Sequence, residues 1–188
     1  MVLCTSYATV SAVEAAMTTG VCALAKEVVI AAKAGVSVRS QGDDFLRASN
    51  QGVKPIWLAV GSAWTGVDIG GHDPWERLFG KQVAAAEDNV LTDLVIPRLP
   101  FGTNQSFTHQ WRIRTFPNVP WDLFDAALKF KQALGRLVRR AGLPSNRRIH
   151  VLDGRLGEAS HDGRLAPFER ALGRYRALPL ALLRQKTQ

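Results

Sequence analysis

Cysteine is nearly missing from this chain: Cys4 and Cys22 are the two among 188 residues. They lie in apolar surroundings without CxxC spacing, so a zinc or iron–sulfur site within the chain is not expected and buried thiols are. His72, His109, His150 and His161 are scattered and lack the four-residue helical spacing of a ligand pair, so no metal is assigned. No run of about 18 uncharged apolar residues is present, which argues against a membrane span. The apolar opening, residues 1–25, has no basic start and is interrupted by Glu14, so it does not read as a signal peptide. The cytoplasm is the expected compartment. There is no repeat, no low-complexity tract, no G-x-x-x-x-G-K-[ST] phosphate loop and no G-x-G-x-x-G fingerprint. Acidic residues are also scarce. Sixteen Asp and Glu face 24 Lys and Arg, a net charge of +8, which draws an anionic partner by long-range attraction, nucleic acid or nucleotide first. A membrane surface fits less well, because the basic residues are spread among apolar segments and do not line one isolated helix.

What is present is the material of a globular α/β chain. Hydrophobic residues make up 46%, enough with this length for one domain, or one lobe of something larger. Val2 to Ser6 reads as a strand and the period from about Thr9 as a helix ended near Gly20. A second helical stretch, Val21 to Ala34 closed by Gly35, leads to a strand at Val36 to Arg39 and a turn at Ser40 to Gly42. Asp43 or Asp44 then caps a helix running to about Gly52. The apolar run Ile56 to Val60 fits a strand buried on both faces. His72 to Asn89 is polar and weakly patterned, so it reads as an insertion or mobile loop. Leu91 to Ile96 is a further buried strand, Trp121 to Ala141 a long helix, Ile149 to Leu152 a last strand, and Pro167 to Arg176 a terminal helix. This alternation predicts a mainly parallel sheet covered by helices on both faces.

Three stretches carry candidate chemistry. GSAWTGVDIGG, Gly61 to Gly71, holds four glycines and one aspartate directly after a buried strand. There it either brings backbone amides to a ligand at the sheet's carboxyl edge or is an ordinary glycine-rich connection. Gly102 to Pro120 carries Trp111, Arg112, Arg114 and Phe116, a mixture that suits single-stranded nucleic acid and equally suits an irregular loop packed by its own rings. In KFKQALGRLVRR, Lys129 to Arg140, helical spacing sets Gln132, Arg136 and Arg139 on one stripe, with Lys129 one turn earlier. The opposite face is apolar: Leu123, Ala127, Phe130, Leu134, Leu137 and Val138. Gly135 costs such a helix roughly 1 kcal/mol relative to alanine, which makes sense if something must approach its backbone. A solvated basic face is the alternative reading of the stripe.

Taken together, VLCTSY (2–7), GSAWTGVDIGG and QALGRLVR (132–139) resemble motifs IV, V and VI of the second RecA-like lobe of superfamily 2 helicases of the DinG and XPD family. VIPRLPF (95–101) and RIHVLDGR (148–155) resemble the strand segments flanking motif VI in DinG-like proteins, and the order and spacing agree across nearly the whole chain. Within the family the chain is most similar to the CRISPR-associated DinG of type IV systems. The usual glutamate before the motif V glycine is replaced by Thr65, so a role carried by that acid does not transfer. The phosphate loop and DEAH-like motif of the first lobe are absent, and the expectation is a C-terminal half.

The resemblance implies that Arg136 and Arg139 are arginine fingers and that Gln132 arranges the nucleotide or the attacking water. It implies that Gly66, Asp68 and Gly135 belong to the nucleotide side of the site. Thr5, Ser6, Tyr7, Thr65 and Arg98 would touch single-stranded DNA, mostly at phosphates. ATP and Mg2+ would be held mainly by a partner N-terminal lobe, with 5′ to 3′ movement and, in a type IV setting, a guide-RNA complex as partner. The chain alone would not turn over ATP. A nucleic-acid-binding or complex-docking module without turnover is the competing class. A dinucleotide enzyme is disfavoured, because the glycine loop follows a middle strand and lacks the fingerprint.

Overall fold

A computed structural model describes residues 1–19, 28–67, 69, 72–80, 90–102, 106–137, 147–156, 165–173 and 175. It divides into two compact units, Met1–Asp153 and Gly154–Gln188. The first is an α/β fold around a five-stranded, wholly parallel sheet in the order β2-β3-β1-β4-β5. The strands are β1 (Val2–Leu3), β2 (Val29–Ala31), β3 (Ile56–Ala59), β4 (Asp93–Ile96) and β5 (Arg148–Val151). Helices α1 (Tyr7–Thr19), α2 (Val38–Asn50), α3 (His72–Phe79), α4 (Phe107–Thr115) and α5 (Trp121–Leu137) surround it. In the second unit α6 (Ala166–Leu172) carries a proline in its first turn, where a missing N–H costs nothing.

Strand alternation explains how both faces are filled. Val2, Cys4, Leu58 and Val60 pack with Val10, Val13 and Met17 of α1. Trp57 points the other way, its ring 6.0 Å from that of Phe45 on α2 and its indole N–H donating to Gln41 at 3.2 Å. β1 is central: Val2 lies opposite both Leu58 of β3 and Val95 of β4. Cys4 is buried as expected of it, and burial pushes its thiol pKa up, away from reactivity; Cys22 lies outside the described residues.

The structure departs from the sequence reading in four places. Residues 29–31 are strand β2, not helix, because Val29, Ile30 and Ala31 pair with Ile56, Trp57 and Leu58. Residues 36–42 hold neither a strand nor a turn: Ser37 caps α2 by accepting the Ser40 amide, and the helix runs unbroken through Gly42. Gly42 is helical for a packing reason. A Cβ there would meet Ile69, Trp57 and Val67 at 3.4–3.6 Å, so the helix lies close on the sheet. The stretch read as an insertion or loop from His72 begins with α3, and residues 81–89 lie outside the described residues. Within 102–120, a segment read as irregular, Ser106 caps α4 through the His109 amide.

Candidate functional site

The carboxyl edge of a parallel sheet is where adjacent strands that send their chains to opposite faces leave a crevice. β1 hands its chain to α1 on one face, whereas β3 leads to α3, which packs on α2 on the other. β1 and β3 thus send their chains to opposite faces, and TSY and the glycine loop lie at their carboxyl ends. Ser6 caps α1, its hydroxyl oxygen 3.2 Å from the Thr9 amide and 2.9 Å from the Thr9 hydroxyl. Thr5 and Tyr7 beside it are exposed.

The loop after β3 is shaped by its own backbone. Gly61 turns with φ +64°, a conformation that favours glycine, and Gly61–Trp64 form a single 3-10 turn. The Thr65 and Gly66 amides both donate to the Ser62 carbonyl, at 3.1 and 2.7 Å. A Cβ on Gly66 would stand 3.3 Å from that same oxygen. Trp64, buried, donates its indole N–H to the Cys4 carbonyl at 2.9 Å and so ties the loop to the end of β1.

From the other side the loop is held by α5. Five residues of its inner face are buried, Ala126, Phe130, Ala133, Leu134 and Leu137, which matches the apolar stripe read from the sequence at Phe130, Leu134 and Leu137. α5 packs on the 61–64 turn, and Arg136 spreads its guanidinium over the loop backbone, donating to the carbonyls of Thr65 and Val67. Gln132 and Gly135 are exposed on α5, and nothing lies within 4 Å of where a Gly135 Cβ would stand. Arg139 and Asp68 lie outside the described residues.

The expected site residues thus fall into groups. Thr65 and Gly66 are joined to Arg136 through the loop, and Thr5, Ser6 and Tyr7 follow the strand end to which Trp64 is bonded. Arg98 is exposed just beyond β4, where the Leu99 amide donates to Asp153 at 2.8 Å and links the ends of β4 and β5.

A cleft of about 450 Å³ beside the loop was not foreseen. Val38, Arg39, Asp43, Ser62, Gly66 and Arg77 are among its lining residues. Arg77 of α3 donates to both Asp43 oxygens, at 2.7 and 2.5 Å, and that hydrogen bond holds the Asp43 carboxyl below the usual carboxylate range. The signal for Arg39 and Asp43 was Ser37: read as a cap, it would have placed both on the first turns of a helix starting at the carboxyl edge. Among the described residues no group of three or more His, Cys, Asp or Glu is placed to hold a metal ion, and no helix is long and apolar enough to cross a membrane.

Fold and edge together define an open parallel α/β lobe with a glycine loop braced at a crevice beside its central strand. No protein-family model matches the chain, and no curated protein matches it.

Proposed function

We propose that the chain is the second RecA-like motor lobe of an ATP-dependent DNA helicase of the DinG type, moving 5′ to 3′ on single-stranded DNA in type IV CRISPR interference. The observation that carries this reading is the Arg136 brace. The helix resembling motif VI is hydrogen-bonded to the loop resembling motif V, at the sheet edge where such folds bind ligands. A motor lobe needs such a link, so that a change at the nucleotide is felt at the strand.

The Arg136 brace suggests a division of labour. A guanidinium occupied by two carbonyls acts as a strut, so Arg136 positions the loop while Arg139 takes the finger role on the transferring phosphoryl group. In this reading Gln132 and Gly135, exposed on α5 with nothing near a Gly135 Cβ, serve the ATP and Mg2+ that a first lobe would bring. Gly66 and Asp68 belong to the loop that connects that side to Thr5, Ser6, Tyr7, Thr65 and Arg98, which take DNA phosphates without reading sequence. The partners in this reading are an N-terminal helicase lobe, single-stranded DNA and a guide-RNA complex that has opened a duplex.

The second reading, a nucleic-acid-binding or docking module without turnover, is favoured by one observation: Arg136 is engaged inside the lobe. The complete two-lobe protein separates them. Arg139→Ala is expected to lower ATP turnover about a thousandfold or more while DNA affinity stays within about twofold. Near-normal turnover in that variant sinks the motor assignment, and the chain by itself is expected to hydrolyse nothing.

A further inference from the structure

Six of the nine large apolar side chains that stand exposed among the described residues gather on one segment: Phe107, Trp111, Ile113, Phe116, Phe124 and Leu128. Within it four rings form an unbroken row. Trp111 and Phe116 lie 6.2 Å apart, Phe116 and Trp121 6.3 Å, Trp121 and Phe124 6.3 Å, all tilted or edge-on. Such pairing keeps the rings from collapsing flat on one another and leaves ring surface in water. Phe107, one turn before Trp111, is 85% exposed.

The row is mounted on two helices that are tied together, and two arginines stand along it. His109 is buried between α4 and α5, with Nε2 2.8 Å from Asp122 and Nδ1 3.0 Å from Asp125, and the Trp121 indole donates to the Phe116 carbonyl at 3.3 Å. These contacts pin α4 to the start of α5 and turn the two nearest acids toward His109. From Leu94 to Trp121 the sequence has no acidic residue. Arg112 stands over the Trp121 ring, 5.5 Å from its centroid, and Arg114 is exposed. Rings flanked by Arg112 and Arg114, with the nearest acids Asp122 and Asp125 paired to His109, are complementary to a strand of phosphates carrying unpaired bases, since every base offers a π-face whatever its identity.

We propose that the Trp111–Phe116–Trp121–Phe124 row is a base-stacking platform for single-stranded nucleic acid, with Arg112 and Arg114 at its phosphates. The proposal rests on the nucleic-acid reading of this lobe and adds to it a contact with bases, where the sheet-edge residues take phosphates. It gives the lobe a grip that tolerates any sequence but requires the bases to be unpaired.

The test is fluorescence anisotropy on the whole chain with two labelled strands of about 20 nucleotides, longer than the ~4–16 that one single-strand-binding fold covers. One strand is oligo(dT), the other an abasic strand of the same length and charge. The wild type is expected to prefer oligo(dT) by about tenfold or more. Trp111→Ala with Phe116→Ala removes that preference and leaves affinity for the abasic strand unchanged; Arg114→Gln weakens both strands alike. Phe124→Ala, at a row member half in water and outside the core, also lowers the preference. Equal wild-type binding to both strands overturns the proposal, as does a preference that survives the ring substitutions. Binding to neither strand also overturns it and marks the row as a protein-docking face. Failure of the motor reading is seen separately, as a complete two-lobe protein that prefers oligo(dT) yet hydrolyses no ATP.

Discussion

Replacing Arg136 with alanine removes the brace between α5 and the glycine loop, and the structure allows the effect to be sized. Two hydrogen bonds from a charged donor are lost, one to the part-buried Val67 carbonyl and one to the exposed Thr65 carbonyl. A charged hydrogen bond contributes about 1.5–3 kcal/mol when shielded, and markedly less at the surface where water takes over the acceptor. The expected loss is therefore about 2–3 kcal/mol, on the order of 30–150-fold in the folding equilibrium. Lysine is not an adequate substitute, because an ammonium on a flexible stem cannot fork to two carbonyls; Arg136→Lys should recover less than half. Urea denaturation gives the magnitude, with an unchanged slope showing that the folded and unfolded states keep their areas. Amide hydrogen exchange locates it: the Gly66 N–H, bonded to Ser62, should exchange faster in the alanine variant, while amides of β3 follow global stability only. A variant within about 0.5 kcal/mol of wild type, with Gly66 exchange unaltered, would refute the idea that this guanidinium holds the loop.

Gly135→Ala should stabilise the chain by about 0.5–1 kcal/mol, raising the melting temperature by about 1–4 °C, since the new methyl meets nothing and the helix gains a better former. In the two-lobe protein the same change should lower ATP turnover, which a steady-state assay reads directly. Gly42→Val should instead destabilise by about 1–3 kcal/mol in urea melts, because branched bulk enters a space already closed at 3.4 Å by Ile69. Asp43 has a folded pKa below its unfolded value, so its pairing with Arg77 contributes above the ordinary carboxylate range, near pH 4, and is lost as pH falls through the lower folded value. Arg77→Leu should therefore lower stability at pH 7 by under about 1 kcal/mol, the pair being partly exposed, and the two urea midpoints should converge in acid.

Much of the scaffold could be read from residue order, and the misreadings have specific causes. β3 and β4 are short apolar runs between turn residues, and α5 has a clear apolar stripe, so all three were anticipated within a few residues. β2 was not, because VIAAKA satisfies a helical period as well as it does a three-residue strand, and only pairing with Ile56 to Leu58 decides. α2 was started too late because Gly42 was taken for punctuation, when its missing side chain lets the helix lie against Trp57. α4 was hidden because its large apolar residues stay in water: with Phe107 and Trp111 exposed, no inward stripe announces a helix. For the site, the glycine loop and the QALGR helix could be named in advance, but their meeting through Arg136 could not. Helical spacing put Arg136 on the outward stripe, yet a guanidinium on a three-carbon stem reaches back around its helix to two carbonyls about 70 residues earlier in the chain.

The place of β1 in the sheet has a consequence for how the chain reaches its fold. Val2 and Leu3 are made well before their neighbours on either side, Leu58, Ala59 and Val95. On a ribosome the central strand waits, unpaired and apolar, until both flanks have emerged, and the sheet cannot close before β4 is out of the tunnel. Parallel pairings of such long sequence separation carry the loop-closure cost before any reward, so folding should be slow and its early species exposed to association.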